Sequence, residues 1–152
     1  MNISELEAVL SNATLSNTTN YIPKPRFNLG YVIKVYDGDS CTVAAMMEDG
    51  VMCRLSIRVL GVDTPELRSS CIHEKKCAVI ARGITSSFCM GRIVNLDITG
   101  MDKYGRCLSD ITVDNRSLSK HLLDLDIAVP YYGKKKETRD FEALLKNFND
   151  IV

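Results

Sequence analysis

The sequence has no surplus of either charge: nineteen Lys and Arg balance nineteen Asp and Glu across 152 residues. A protein that coats nucleic acid regardless of sequence normally carries a basic excess, so that class is disfavoured. An enzyme that steers one phosphate with a few local cations is not excluded. Runs of about 18 or more apolar residues are absent, so no segment reads as a membrane-spanning helix. The amino terminus lacks a basic patch followed by an apolar stretch, which leads us to expect no secretory signal and a cytoplasmic protein. No internal repeat is found. The six cysteines (Cys41, Cys53, Cys71, Cys77, Cys89 and Cys107) lack the short spacings of a disulfide or zinc framework. They read as reduced, mostly buried thiols.

Apolar residues make up 45% and charged residues 25% of the chain, the balance of an ordinary globular protein large enough for a core. Residues 1–28 stand apart in composition. Ser4-x-x-Glu7 before Val9 and Leu10 matches a capping box, and a polar, low-complexity stretch then runs to Pro23 and Pro25. We read 1–28 as a flexible or partly helical arm and 29–152 as the domain.

In that domain, residues 30–36, 40–47 and 51–60 are rich in β-branched and apolar side chains and are separated by Asp-Gly turns, which predicts a three-strand meander. Cys53, Leu55, Ile57 and Val59 alternate with Arg54, Ser56 and Arg58, so Arg58 is expected on the face opposite the apolar set. Residues 74–90 carry Cys77, Ile80, Ala81, Ile84 and Phe88 at helical spacing and stop at Gly91. Two strands follow over 92–99 and 106–114. Ser117 should cap a helix with Leu118, Leu122 and Leu125 inward, and another helix is expected over 138–149. Strands with interspersed helices and no β-α repeat give an α+β class with a small barrel.

Chemistry concentrates at the strand ends. Asp39 closes the turn Asp37-Gly38-Asp39-Ser40. Arg58, Asp63 and Glu66 lie in R-V-L-G-V-D-T-P-E, and Arg106 ends D-K-Y-G-R. Breaking a phosphate ester calls for carboxylates that hold a metal ion and accept a proton, and for guanidinium groups that neutralise growing negative charge. Pro65 fixes its own φ and extends Thr64, which limits the orientations open to residues 63–66 and suits a hard cation. Asp39, Asp63 and the Thr64 carbonyl are read as metal ligands and Glu66 as the general base. Arg58 and Arg106 are read as the phosphate clamp. Each has a plainer alternative: aspartates form turns, a glutamate after proline is usually a solvated charge, and single arginines mostly make surface ion pairs. Asp37 is read as a turn former.

Taken together, D-G-D-S, R-V-L-G-V-D-T-P-E and D-K-Y-G-R resemble the staphylococcal (micrococcal) nuclease or thermonuclease-like family, over about residues 30–146. That resemblance implies an OB-type five-stranded β-barrel with about three helices. It also implies metal-dependent hydrolysis of DNA and RNA, usually with calcium, leaving 3′-phosphate ends. It carries the calcium carboxylates onto Asp39 and Asp63, the carbonyl ligand onto Thr64, the base onto Glu66 and the clamping arginines onto Arg58 and Arg106. Ser40 replaces a threonine and keeps its hydroxyl. Calcium rests on the resemblance, since oxygen ligands alone also admit magnesium or manganese.

Lys103, Tyr104 and Tyr132 are candidate substrate contacts, by charge or by stacking, with Tyr131 the alternative to Tyr132. Lys134, Lys135, Lys136 and Arg139 read as a solvated helix start that could extend a backbone track. Cys71, His73 and Cys77, with His121 from afar, make a poor zinc set. The leading expectation is a nuclease acting on single-stranded or frayed DNA or RNA, with no membrane partner. The competing one is a non-catalytic OB-type module that binds nucleic acid or protein.

Overall fold

The computed structural model describes residues 1–134 and 138–149. Its centre is the expected meander: β1 (Leu29–Asp37), β2 (Ser40–Met46) and β3 (Met52–Val59), all antiparallel. The register pairs Val32 with Val43 and Ser40 with Arg58. Alternation along these strands sends Val32, Val43 and Ile57 into the core, where each is fully buried. Complete burial of such a side chain stabilises the fold by about 1.5–3 kcal/mol.

Beyond β3 the sequence expectation is too simple. The expected strand over 92–99 becomes β5 (Ile93–Leu96), and β6 (Gly100–Met101) follows after a break. The strand over 106–114 divides into β7 (Cys107–Ser109) and β8 (Ile111–Val113). β7 runs parallel to β3, whereas β8 runs antiparallel to β5, so the chain changes partner at Asp110. The Asp110 carboxylate holds this corner by accepting from the N–H groups of Ile111 and Ser119 and from the Ser117 hydroxyl. Short β4 (Val62–Asp63) pairs with β10 (Val129–Pro130), and β9 (Arg116–Ser117) closes one edge.

The result is α+β: a curled sheet in the order β6-β7-β3-β2-β1-β5-β8-β9, a separate β10-β4 pair, and four α-helices among the described residues. This corrects the expected count of five barrel strands and about three helices. Local apolar runs indicate extended chain, but they do not show where a strand breaks and takes a new neighbour.

Helix α1 (Ile3–Leu10) starts at Asn2, whose side chain pairs reciprocally with Glu5, so the capping box lies two residues before the expected Ser4–Glu7 pair. None of its residues is buried. Helix α2 (Ile72–Cys89) packs along β1 and buries Cys77, Ala81 and Phe88. Gly91 follows with a φ of 70°, the backbone that a glycine stop provides. Helix α3 (Leu118–Asp124) is capped by Ser117, as expected, and buries Leu118 and Leu122. Leu125, expected inward, is instead the C-cap residue and is 38% exposed. Helix α4 (Phe141–Lys146) is capped by Asp140, packs on α2 and buries Leu144; Phe148 follows, also buried. It is shorter than the expected 138–149.

All six cysteines are unpaired; Cys41, Cys77, Cys89 and Cys107 are buried, as the sequence suggested. Among the described residues no helix is long and apolar enough to cross a membrane.

Candidate functional site

Asp39 sits at the mouth of the β1–β2 hairpin because Asp37 organises the turn. The Asp37 Oδ1 accepts from the Asp39 N–H at 3.2 Å and from the Ser40 hydroxyl at 2.7 Å. The turn is pinned from behind, where the Thr85 hydroxyl of α2 donates to the Gly38 carbonyl at 2.6 Å. From across the sheet, the Val59 N–H donates to the Asp39 carbonyl at 2.8 Å. Asp39 Oδ2 in turn accepts the Thr64 N–H at 2.9 Å, which ties the turn to the Asp63-Thr64-Pro65 segment 25 residues later.

Arg58 completes this group. Its Nη2 lies 3.5 Å from Asp39 Oδ2 and 3.4 Å from Asp63 Oδ1. Its Nη1 donates to the carbonyls of Val59 and Val62, each at 2.9 Å. Arg58 alternates with the core residues Ile57 and Val59, yet it is only 9% exposed. At this strand end the chain folds back through β4, and its carbonyls and carboxylates enclose the guanidinium. Two carboxylates against one guanidinium leave this buried group net negative. Burial is the main force that pushes the Asp39 carboxyl up to about 6; Arg58 pulls it down, and the neighbouring Asp37 adds to the push.

Glu66 is exposed, two residues past Thr64. Together with Asp63, Thr64 and Pro65 it lines a cavity of about 250 Å³, whose far wall includes Glu74 of α2, Arg139 and Phe141. Arg139 donates to the carbonyls of Asp126 and Ile127 and pairs with the Asp126 carboxylate. Lys134 is exposed, and Lys135 and Lys136 lie outside the described residues.

Arg106 stands at the start of β7, on the strand next to the one that carries Arg58. Its partner is Asp102, not the Asp39–Asp63 group. Arg106 donates its N–H to Asp102 Oδ1 at 2.9 Å and its Nε to Oδ2 at 2.6 Å. Tyr104 is exposed between two cations, with the Arg106 guanidinium 5.5 Å and the Lys103 ammonium 5.2 Å from its ring centre. Of the two adjacent tyrosines, Tyr131 is the one beside the acidic group: its ring lies 5.8 Å from the Arg58 guanidinium, and its N–H donates to the Gly61 carbonyl. Tyr132 is exposed and close to Gly61.

Asp39, Arg58, Asp63 and Thr64 are thus in contact, Glu66 lines a cavity with Asp63 and Thr64, and Arg106 with Lys103 and Tyr104 forms a second cluster next to the adjacent strand. Sequence reading did not single out Asp102, Thr85 or Glu74. The signal for Asp102 was available, since an aspartate opening a D-x-x-G-R turn is placed to bind the turn's own N–H groups.

Among the described residues, no three His, Cys, Asp or Glu side chains converge on a point, so the Cys71–His73–Cys77 zinc idea has no support. His121 packs on the Phe88 ring instead, with centroids 5.2 Å apart. A hard divalent cation is a better match to the Asp39–Asp63 group. The donors are oxygens, the group is net negative, and the buried Thr64 hydroxyl oxygen has no hydrogen-bond partner. Two carboxylates with a backbone carbonyl and water meet the needs of such an ion without a third acidic side chain.

Fold and site define an α+β protein with a curled, OB-like sheet in which Asp39 and Asp63 meet around the Arg58 guanidinium. The chain belongs to the family described as staphylococcal nuclease homologue, whose model matches residues 56–149. The match begins within β3 and so leaves the Asp39 turn ahead of it. No curated protein matches the chain. The family is of the nuclease type, and its domains generally act on nucleic acids.

Proposed function

We propose that this protein is a metal-dependent nuclease that hydrolyses phosphodiester bonds of DNA or RNA. The observation that carries this reading is the shared contact of Arg58: one guanidinium nitrogen within 3.5 Å of Asp39 and 3.4 Å of Asp63, carboxylates from separate segments. A fold that needed only stability would gain little from burying two carboxylates against one cation, because their desolvation offsets much of the attraction.

Asp39, Asp63 and the Thr64 carbonyl would hold the divalent cation, calcium by the family resemblance, with magnesium or manganese as alternatives. When bound, the ion supplies positive charge against the non-bridging phosphate oxygens. Glu66 takes a proton from water, which attacks phosphorus in line. Arg58 and Arg106 donate to the equatorial oxygens as charge develops there. The P–O5′ bond breaks, the 5′-oxygen leaves, and a 3′-phosphate end remains. Exposed Tyr104 and Tyr132, with Lys103, offer stacking and charge to unpaired bases and backbone, which favours single-stranded or frayed substrates.

Incubating the protein with denatured DNA and calcium, with and without a chelator, tests this directly. Chelator-sensitive cleavage with 3′-phosphate ends is expected. A protein that binds the strand and leaves it intact would be a non-catalytic module of the same fold.

A further inference from the structure

We propose that two copies of this chain pair by exchanging their amino-terminal helices, each α1 lying on the outer face of the partner's β1–β2–β3 sheet. Two unpartnered surfaces lead to this. The first is α1 itself. Ile3, Leu6 and Leu10 recur on one side of the helix with Val9 flanking them, and all four are exposed. An eight-residue helix with no packed face is marginal in water, because short helices draw their stability from burying an apolar stripe.

The second surface is the sheet. Strand alternation places Leu29, Tyr31, Ala44, Met46, Met52 and Ile93 around an outward-facing depression of about 460 Å³. Met52 is 67% exposed. At its edge Phe27 is 85% exposed and holds a φ of 55°, and Asn28 also holds a φ of 55°. Phenylalanine rarely adopts that backbone, and within one chain no burial of its ring offsets the strain. A contiguous apolar patch of this kind marks an interaction surface.

Charge selects the occupant. Among the described residues Arg26 is the one charged residue that lines the depression, and Arg54 lies next to it, opposite Ala44 on the same face. The helix carries Glu5 and Glu7 and no basic residue. Glu5 is used in the cap, whereas Glu7, four residues after Ile3, edges the apolar stripe and can meet Arg26 or Arg54. An acidic helix is a poor ligand for anionic membranes or nucleic acid. It suits an apolar patch rimmed by arginines. Each chain has one helix and one patch, and its own helix lies off the patch, so a twofold exchange covers both in both copies and leaves neither repeated outward.

The test uses the full chain and two surface variants, Leu6→Asp and Met52→Asp, with circular dichroism as the check on folding. Sedimentation velocity over about 1–100 µM reads the assembly state. Wild type is expected to dimerise, and each variant to weaken the dimer by about tenfold or more, the cost of charging one buried anchor. Mixing the two variants is the decisive arm. The Leu6→Asp chain retains a good patch and the Met52→Asp chain a good helix, so the mixture should form heterodimers that neither forms alone. Wild type that stays monomeric at every concentration overturns the proposal. So does a Leu6→Asp dimer as tight as wild type, which would indicate patch-to-patch pairing. A Met52→Asp chain that loses only binding to a single-stranded oligonucleotide would assign the patch to nucleic acid instead.

Discussion

Asp102 accepts both the backbone N–H and the Nε of Arg106, so one carboxylate fixes the start of β7 and the guanidinium that follows it. It also accepts the Tyr104 N–H at 2.9 Å, which closes the turn over residues 102–106. In the proposed nuclease this makes Asp102 the residue that aims Arg106, without touching substrate itself. Replacing it with asparagine keeps the shape and removes the charge. Misaimed groups of this kind cost about 10–100-fold in rate. Asp102→Asn should lower kcat by that order while calcium affinity stays close to wild type, as calcium titration followed by calorimetry would record.

The same residue gives a pH signature. Burial acts to raise the Asp102 carboxyl, but the bonds from Arg106 and Tyr104 outweigh it and hold the group below its ordinary 3.8. A carboxyl whose folded value is depressed contributes stability above its unfolded value and loses it as the pH falls through the folded one. The stability gap between wild type and Asp102→Asn should therefore be constant near neutrality and close below pH 3.8. Urea unfolding at stepped pH measures it; a gap that widens on acidification would contradict the sign.

Arg58 should matter to folding before it matters to chemistry. Its removal leaves Asp39 and Asp63 buried without their shared cation, and breaking a buried pair typically costs about 3–5 kcal/mol. We expect Arg58→Met to lower Tm sharply in chelator and to recover part of the loss in calcium, since a divalent ion would neutralise the same carboxylates. Thermal melts with and without the ion would show a larger calcium-induced shift in the variant than in wild type.

Two glycines make a matched pair. A Cβ on Gly38 would lie 2.7 Å from the Ala81 Cβ and 2.9 Å from both Cγ2 and Oγ1 of Thr64. Gly38→Ala should cost about 1–3 kcal/mol by overpacking and displace Thr64 from Asp39. A Cβ on Gly83, within α2, meets nothing within 4 Å. Gly83→Ala should stabilise by about 0.5–1 kcal/mol through helix propensity. Chemical denaturation of both variants checks the contrast.

The legible parts of this fold are those that local patterns specify. Alternation gave the meander, helical spacing gave α2, and Ser117 announced α3. The Asp39, Asp63, Thr64 and Glu66 positions were readable because turn and proline chemistry confines them locally. What escaped depends on distant contacts. Alternation gives the sheet face of Arg58, but not that the Val62 carbonyl and the carboxylates of Asp39 and Asp63 enclose its guanidinium there. Residues 106–114 look like one strand, yet Asp110 turns the chain to a new neighbour. Asn2 and Ser4 both begin plausible capping boxes, and the helix uses the earlier.

The measurement closest to the central claim is single-turnover cleavage of a denatured oligonucleotide by Glu66→Gln in saturating calcium, paired with calcium binding to the same variant. Removing a general base should slow cleavage by about 10²–10⁴-fold while calcium still binds. Cleavage at the wild-type rate would show that Glu66 takes no proton in the reaction and would contradict the proposed chemistry.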